Sequence, residues 1–128
     1  MATLETPVSV GELLDKITIL EIKAQRITER QKRDNVEREL TVLNAVVSRC
    51  VSMDAAVLAL VDQLREVNLA LWDVEDALRV CEKQQQFDDN FVQLARSVYK
   101  HNDWRAELKK RINGLTGSAL VEEKSYTV

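Results

Sequence analysis

Between Asp54 and Gln85 an apolar residue returns at alternating intervals of four and three: Leu60, Leu64, Val67, Leu71, Val74, Leu78 and Cys81. That rhythm, kept for three heptads, is the narrow seam of a long helix packed alongside other helices. A helix of this span is about 45–50 Å long. Only three Gly and one Pro punctuate the 128 residues. Sheet folds need turn residues at frequent intervals, so all-β and Rossmann-type architectures are disfavoured. A hydrophobic content of 45% is too high for a disordered chain.

The rest of the chain supplies partners for that helix. Residues 1–8 form an extended arm that carries the one proline, Pro7. Ser9 and Glu12 then make a capping box, so a first helix starts near Val10. Its seam is Leu13, Ile17, Leu20, Ala24 and Ile27, widened by Leu14 and Ile22. Thr28 to Gln31 repeats the capping pattern and predicts a turn or kink around Thr28, with a continuous helix as the alternative. The second seam is Val36, Leu40, Leu43 and Val47, continued by Cys50 or Val51. Ser52 and Asp54 break and cap before the third helix. Asp88 or Asp89 caps a fourth, with Phe91, Leu94, Ala95, Val98, Leu108, Ile112 and Leu115 as its apolar positions. Gly114 and Gly117 are stop signals. The expected fold is all-α: one domain over 1–128, an antiparallel bundle of about four helices, with a tail from 118 to 128.

Charge and targeting signals narrow the partners. Eighteen Lys and Arg against 21 Asp and Glu give a net charge of −3, with no basic excess to drive nucleic-acid binding. Lys109-Lys110-Arg111 near a helix C-terminus complements the helix dipole. Cys50 and Cys81 are far apart, and His101 is the lone histidine, so a zinc site is not expected. Both thiols are expected to be reduced and mostly packed. No secretory signal and no run of about 20 apolar residues is present. The expectation is a cytoplasmic protein with no membrane span and no cofactor.

Several polar residues fall where apolar ones are due. Asn68, Trp72, Glu75 and Arg79 form a stripe beside the third seam. In the fourth helix the apolar rhythm stops at Val98 and resumes at Leu108, with Asn102, Arg105 and Lys109 on the intervening stripe. Charged residues also flank the first seam: Glu12, Asp15, Lys16, Glu21 and Lys23. Half-buried charges are costly unless paired. One reading is an interhelical ion-pair network in which Glu75 and Glu21 meet Arg79, Arg105 or Lys109. The other is a polar groove in which Arg79, Arg105 and Lys109 hold a carboxylate or phosphate and Glu75 and Asn102 accept from hydroxyls. Trp72, beside the seam, is either packing or part of that groove. His101 has no acidic partner at helical spacing and is not assigned as a base. Glu12–Asp15 is a single ExxD, without the second acidic motif that helical nucleotide pyrophosphatases need. No Ser-His-Asp pattern, Gly-rich phosphate loop or GxSxG elbow occurs.

Four stretches taken together carry a resemblance: GELLDKITILEIKAQRI (Gly11–Ile27), NVEREL (Asn35–Leu40), LWDVEDALR (Leu71–Arg79), and LARSVYKHNDWRAELKKRIN with GSALVEEKSY (Leu94–Asn113, Gly117–Tyr126). They resemble a bacterial family known only as a domain of unknown function, found as small stand-alone proteins. The resemblance implies a link to larger proteins with tetratricopeptide repeats or glycosyltransferase modules in surface-polysaccharide settings. The family's motif positions include Glu12, Asp15, Glu21, Trp72, Glu75, Arg79, Asn102, Arg105, Lys109, Asn113, Glu122, Lys124 and Tyr126. A tail within the family pattern is expected to fold back on the bundle, with Tyr126 as a possible anchor.

The polar placements point to a non-catalytic binding or interaction module, and the resemblance implies that it serves cell-surface glycan assembly. Its expected partner is a glycosyltransferase or repeat protein, or a small anionic ligand such as a sugar phosphate. Its expected groove comprises Glu75, Arg79, Asn102, Arg105 and Lys109, with Glu21 and Trp72 beside it. Two alternatives stay open: a cofactor-free enzyme of chorismate-mutase-like or sugar-phosphate chemistry, and a structural homodimer along the third helix.

Overall fold

A computed structural model describes residues 2–127; Met1 of the arm and Val128 of the tail lie outside the described residues. Four helices follow in order: α1 (Val10–Arg26), α2 (Arg30–Cys50), α3 (Ala55–Gln84) and α4 (Asp89–Thr116). They take up 76% of the described residues, among which no strand is present, so the bundle expected from the seams is the fold.

Local chemistry sets most of the boundaries. Ser9 Oγ accepts from the Glu12 amide at 3.0 Å and starts α1. Asp54 and Asp88 do the same for Val57 and Phe91. Each such cap satisfies one of the amides a helix start leaves without a partner. The Glu12 half of the capping box is not used, because its carboxylate is taken by Lys109. Thr28 does not cap α2; Glu29 is the residue before the helix, and its side chain makes no capping bond. The turn at 27–29 is therefore held by two extended residues, Ile27 and Glu29, rather than by a cap. Gly114 lies inside α4, and Gly117, at φ +64°, ends it. α3 ends on Gln85 at φ +54°, a left-handed conformation without glycine's freedom.

α1 is the hub. It packs on α2, α3 and α4; α3 and α4 also pack on each other, and α2 packs on α1 alone. A helix with three neighbours buries residues around most of its circumference. Accordingly α1 buries Leu13, Leu14, Ile17, Leu20 and Ile22, and also Gly11, Asp15 and Thr18. The core joins these to Val47 of α2, Val57, Leu60, Val61, Leu64 and Val67 of α3, and Leu108 and Ile112 of α4. Leu64, Leu108 and Ile112 have no exposed surface. Ion pairs of falling and rising number, Glu12 with Lys109 and Asp15 with Arg105, show that α1 and α4 run antiparallel.

The long seam of α3 is buried only in part. Leu60, Leu64 and Val67 are in the core, while Leu71, Val74 and Leu78 are half-buried. α1, with 17 residues, runs beside only part of the 30-residue α3. In α4, Ala95 and Leu115 are exposed as well. Cys81 is buried and Cys50 is exposed, so only one thiol is packed as expected.

A buried aspartate between three helices

The centre of the polar chemistry is Asp15, on a stripe of α1 formed by Gly11, Asp15, Thr18 and Ile22 at intervals of four, three and four. Asp15 is 1% exposed. Its Oδ1 accepts from Arg105 Nε at 2.8 Å and from Asn68 Nδ2 at 2.9 Å, and its Oδ2 accepts from Arg105 Nη2 at 2.5 Å. The second Asn68 amide hydrogen goes to Thr18 Oγ1 at 2.8 Å, and that hydroxyl donates to the Asp15 carbonyl. Three helices are joined at one carboxylate. Among the described residues no buried side-chain nitrogen or oxygen lacks a partner. A buried charge is tolerable when it is paired and its remaining lone pairs are satisfied, as here. The Asp15 hydrogen bonds hold the Arg105 guanidinium further into its charged form, against the opposing effect of partial burial.

Asp15 takes only the Nε/Nη2 edge of that guanidinium. Arg105 Nη1 makes no hydrogen bond among the described residues, and because no buried nitrogen is orphaned, Nη1 faces solvent. Arg105 lines two clefts. The first, about 380 Å³, contains Tyr99, Asn102, Asp103 and Lys109 of α4 together with Lys124 and Tyr126 of the tail. The second, about 480 Å³, contains Ile19, Ile22, Trp72, Glu75, Asp76 and Arg79.

The seven residues singled out in the sequence thus divide. Arg105, Lys109 and Asn102 share the first cleft, and Trp72, Glu75 and Arg79 share the second with Arg105. Glu75 and Arg79 face each other along α3 at 3.8 Å, and the Arg79 side chain is 81% exposed. Glu21 lies in neither cleft. It pairs with Arg65 at 2.8 Å, not with Arg79, Arg105 or Lys109, because α3 brings Arg65 beside that turn of α1. The Glu21 hydrogen bond keeps Arg65 charged in turn. Lys109 Nζ bonds Glu12 at 2.5 Å. His101 Nδ1 donates to the Ser97 carbonyl at 2.7 Å, a contact internal to α4. Trp104 stays partly exposed under Arg111, whose guanidinium carbon is 4.9 Å from the ring centroid.

A second cluster joins the two ends of the chain. Gly11 N donates to Asn113 Oδ1 at 2.7 Å, Val10 N to Ser118 Oγ at 3.1 Å, and Ser9 Oγ to Glu122 Oε1 at 2.7 Å. Two of these satisfy first-turn amides of α1 with side chains from the C-terminal end. Gly11 is required by the approach of α4: a Cβ there would lie 2.5 Å from the Lys109 carbonyl oxygen. The tail folds back as expected, but through Ser118, Glu122 and Lys124; Tyr126 is 81% exposed and anchors nothing by burial.

Among the described residues no group of three or more His, Cys, Asp or Glu side chains could hold a metal ion. None of the described helices is long and apolar enough to cross a membrane. No curated protein and no solved structure matches the chain. Its sequence pattern does match one family: the chain belongs to the Family of unknown function (DUF6165), whose model matches residues 4–128.

Proposed function

We propose that this protein is a non-catalytic binding module that holds a small anionic ligand against Arg105. The observation that carries this reading is the half-used guanidinium. Buried Asp15 fixes the Nε/Nη2 edge, and Nη1, which reaches solvent, makes no hydrogen bond among the described residues. An arginine already held in one rotamer loses little further entropy on taking a carboxylate or phosphate. Lys109 and Asn102 add donors in the same cleft, and Trp72 and Glu75 add an apolar face and an acceptor for the rest of the ligand on the other side of Arg105.

The reading is non-catalytic because, among the described residues, the one deeply buried carboxylate, Asp15, is held by three hydrogen bonds and lines neither cleft. The setting we propose is bacterial cell-surface glycan assembly, with a sugar phosphate as ligand. Support for that setting is the resemblance of the four sequence stretches. The test is a thermal-shift panel of phosphate, pyrophosphate, sugar phosphates and dicarboxylates. A ligand at 100 times its Kd stabilises the folded state by about 2.7 kcal/mol, which in a chain of this size is a shift of roughly 10 °C. No shift with any of these compounds at millimolar concentration removes the reading.

A further inference from the structure

The first cleft has two walls of different kinds. Val98, Tyr99, Asn102, Arg105 and Lys109 all belong to α4, while Lys124 and Tyr126 come from the irregular tail. The surface of a single helix is convex, so the concavity exists only because the tail lies across it. Yet the tail contributes nothing to the core. Leu120, Val121 and Tyr126 are all exposed. Its polar ties to the bundle are Ser118 to the α1 amide of Val10, Glu122 to Ser9, Lys110 of α4 to Glu123, and Lys124 to Asp103 of α4 at 2.7 Å. Segments held this way open at low free energy, and lids are drawn from that class.

We propose that residues 118–126 are a strap that closes over a phosphoryl group, and that Lys124 and Tyr126 contact the ligand. This deepens the reading above and rests on it. Three cations face the cleft from two walls: Arg105 and Lys109 from α4, and Lys124 from the strap. Each lysine ammonium has three N–H donors and spends one on a carboxylate, Glu12 for Lys109 and Asp103 for Lys124. A planar carboxylate has two oxygens and can be held from the α4 wall alone, by Arg105 and Lys109. A tetrahedral phosphoryl group has enough oxygens, and enough charge, to take donors from both walls at once. Lys124 Nζ stands 5.7 Å from the centroid of the Tyr126 ring, so the ring helps fix the ammonium over the cleft. Ligand binding and strap closure are then one event: the phosphoryl group adds a bond between the tail and α4 that the free protein lacks.

The experiment uses the full chain and pyrophosphate as probe. Binding is measured by calorimetry for wild type, Lys124→Ala and Tyr126→Ala, with inorganic phosphate in parallel. Trypsin cleavage after Lys124 is timed on the wild type with and without pyrophosphate. The expected result is binding that is about tenfold weaker in Lys124→Ala, weaker also in Tyr126→Ala, with unchanged unfolding temperatures. Pyrophosphate should slow the Lys124 cut severalfold. Wild-type binding with both variants equally tight and the cut rate unchanged overturns the strap but leaves the Arg105 reading standing. No wild-type binding of either probe overturns both.

Discussion

Replacing Asp15 with alanine removes the acceptor for three hydrogen bonds at a site that is 1% exposed. Breaking a buried ion pair by deleting one partner costs about 3–5 kcal/mol, because the surviving charge is left uncompensated. The Arg105 side chain is 28% exposed and can recover some water, which favours the lower end of that range. The Asn68 amide keeps Thr18 and loses Asp15, which adds about 1 kcal/mol. The sum is about 4 kcal/mol, against a total stability of about 5–15 kcal/mol for an ordinary domain. The assay is urea denaturation, with the midpoint falling and the slope unchanged. The double variant Asp15→Leu with Arg105→Met removes both charges together and should recover most of the loss, since apolar pairs replace buried ion pairs at little cost. A loss under about 1 kcal/mol in Asp15→Ala, or a double variant worse than the single one, refutes the view that this carboxylate joins α1, α3 and α4.

Other perturbations follow from the same geometry. Gly11→Ala places a Cβ against the Lys109 backbone and should destabilise by about 1–3 kcal/mol, read by thermal unfolding; a neutral result means the α1–α4 approach is looser than described. Gln85→Gly should stabilise by about 0.5–1 kcal/mol, because glycine takes the left-handed cap of α3 without strain. For Glu122, burial pushes the carboxyl up, but bonds from Ser9, its own amide and Asn113, with the charge of Lys109, outweigh it and hold the group below its ordinary value of 4.5. A carboxyl lowered by folding contributes stability above pH 4.5 that is lost as pH falls through the folded value. The amide signals of Ser9 and Glu122 should therefore move together with a midpoint below 4.5, and Glu122→Gln should abolish that transition; a midpoint at or above 4.5 contradicts the docking.

The seams of α1 and α3 were legible because apolar periodicity reports burial directly, and the Ser9, Asp54 and Asp88 caps because capping is a local event. What the sequence concealed was phase. Asp15 reads as one charge among several flanking Leu13 and Ile17, yet Gly11, Asp15, Thr18 and Ile22 form a second buried stripe, which α1 needs because it has three neighbours. Asn68 is hidden in the same way: it continues Val57, Val61 and Leu64 at intervals of four, three and four. A small or polar residue in register with an apolar stripe was the available signal. The partners of Glu21 and Lys109 depended on which turns α3 and α4 bring to α1, and pairing across 44 and 97 residues is not encoded in local pattern. Thr28 looked like a cap and is none, because the α1–α2 turn is extended through Ile27 and Glu29.

The central claim is that Asp15 pre-sets Arg105 for an anion. The most direct measurement follows the Nε–H resonances of the arginine side chains while pyrophosphate is added to the full chain at constant ionic strength. Arg105 should shift along a saturable curve, while Arg33 and Arg38 of α2, exposed and outside both clefts, stay in place. If Arg105 does not move, or if all arginines drift together without saturation, the anion is only screening surface charge and the claim is wrong.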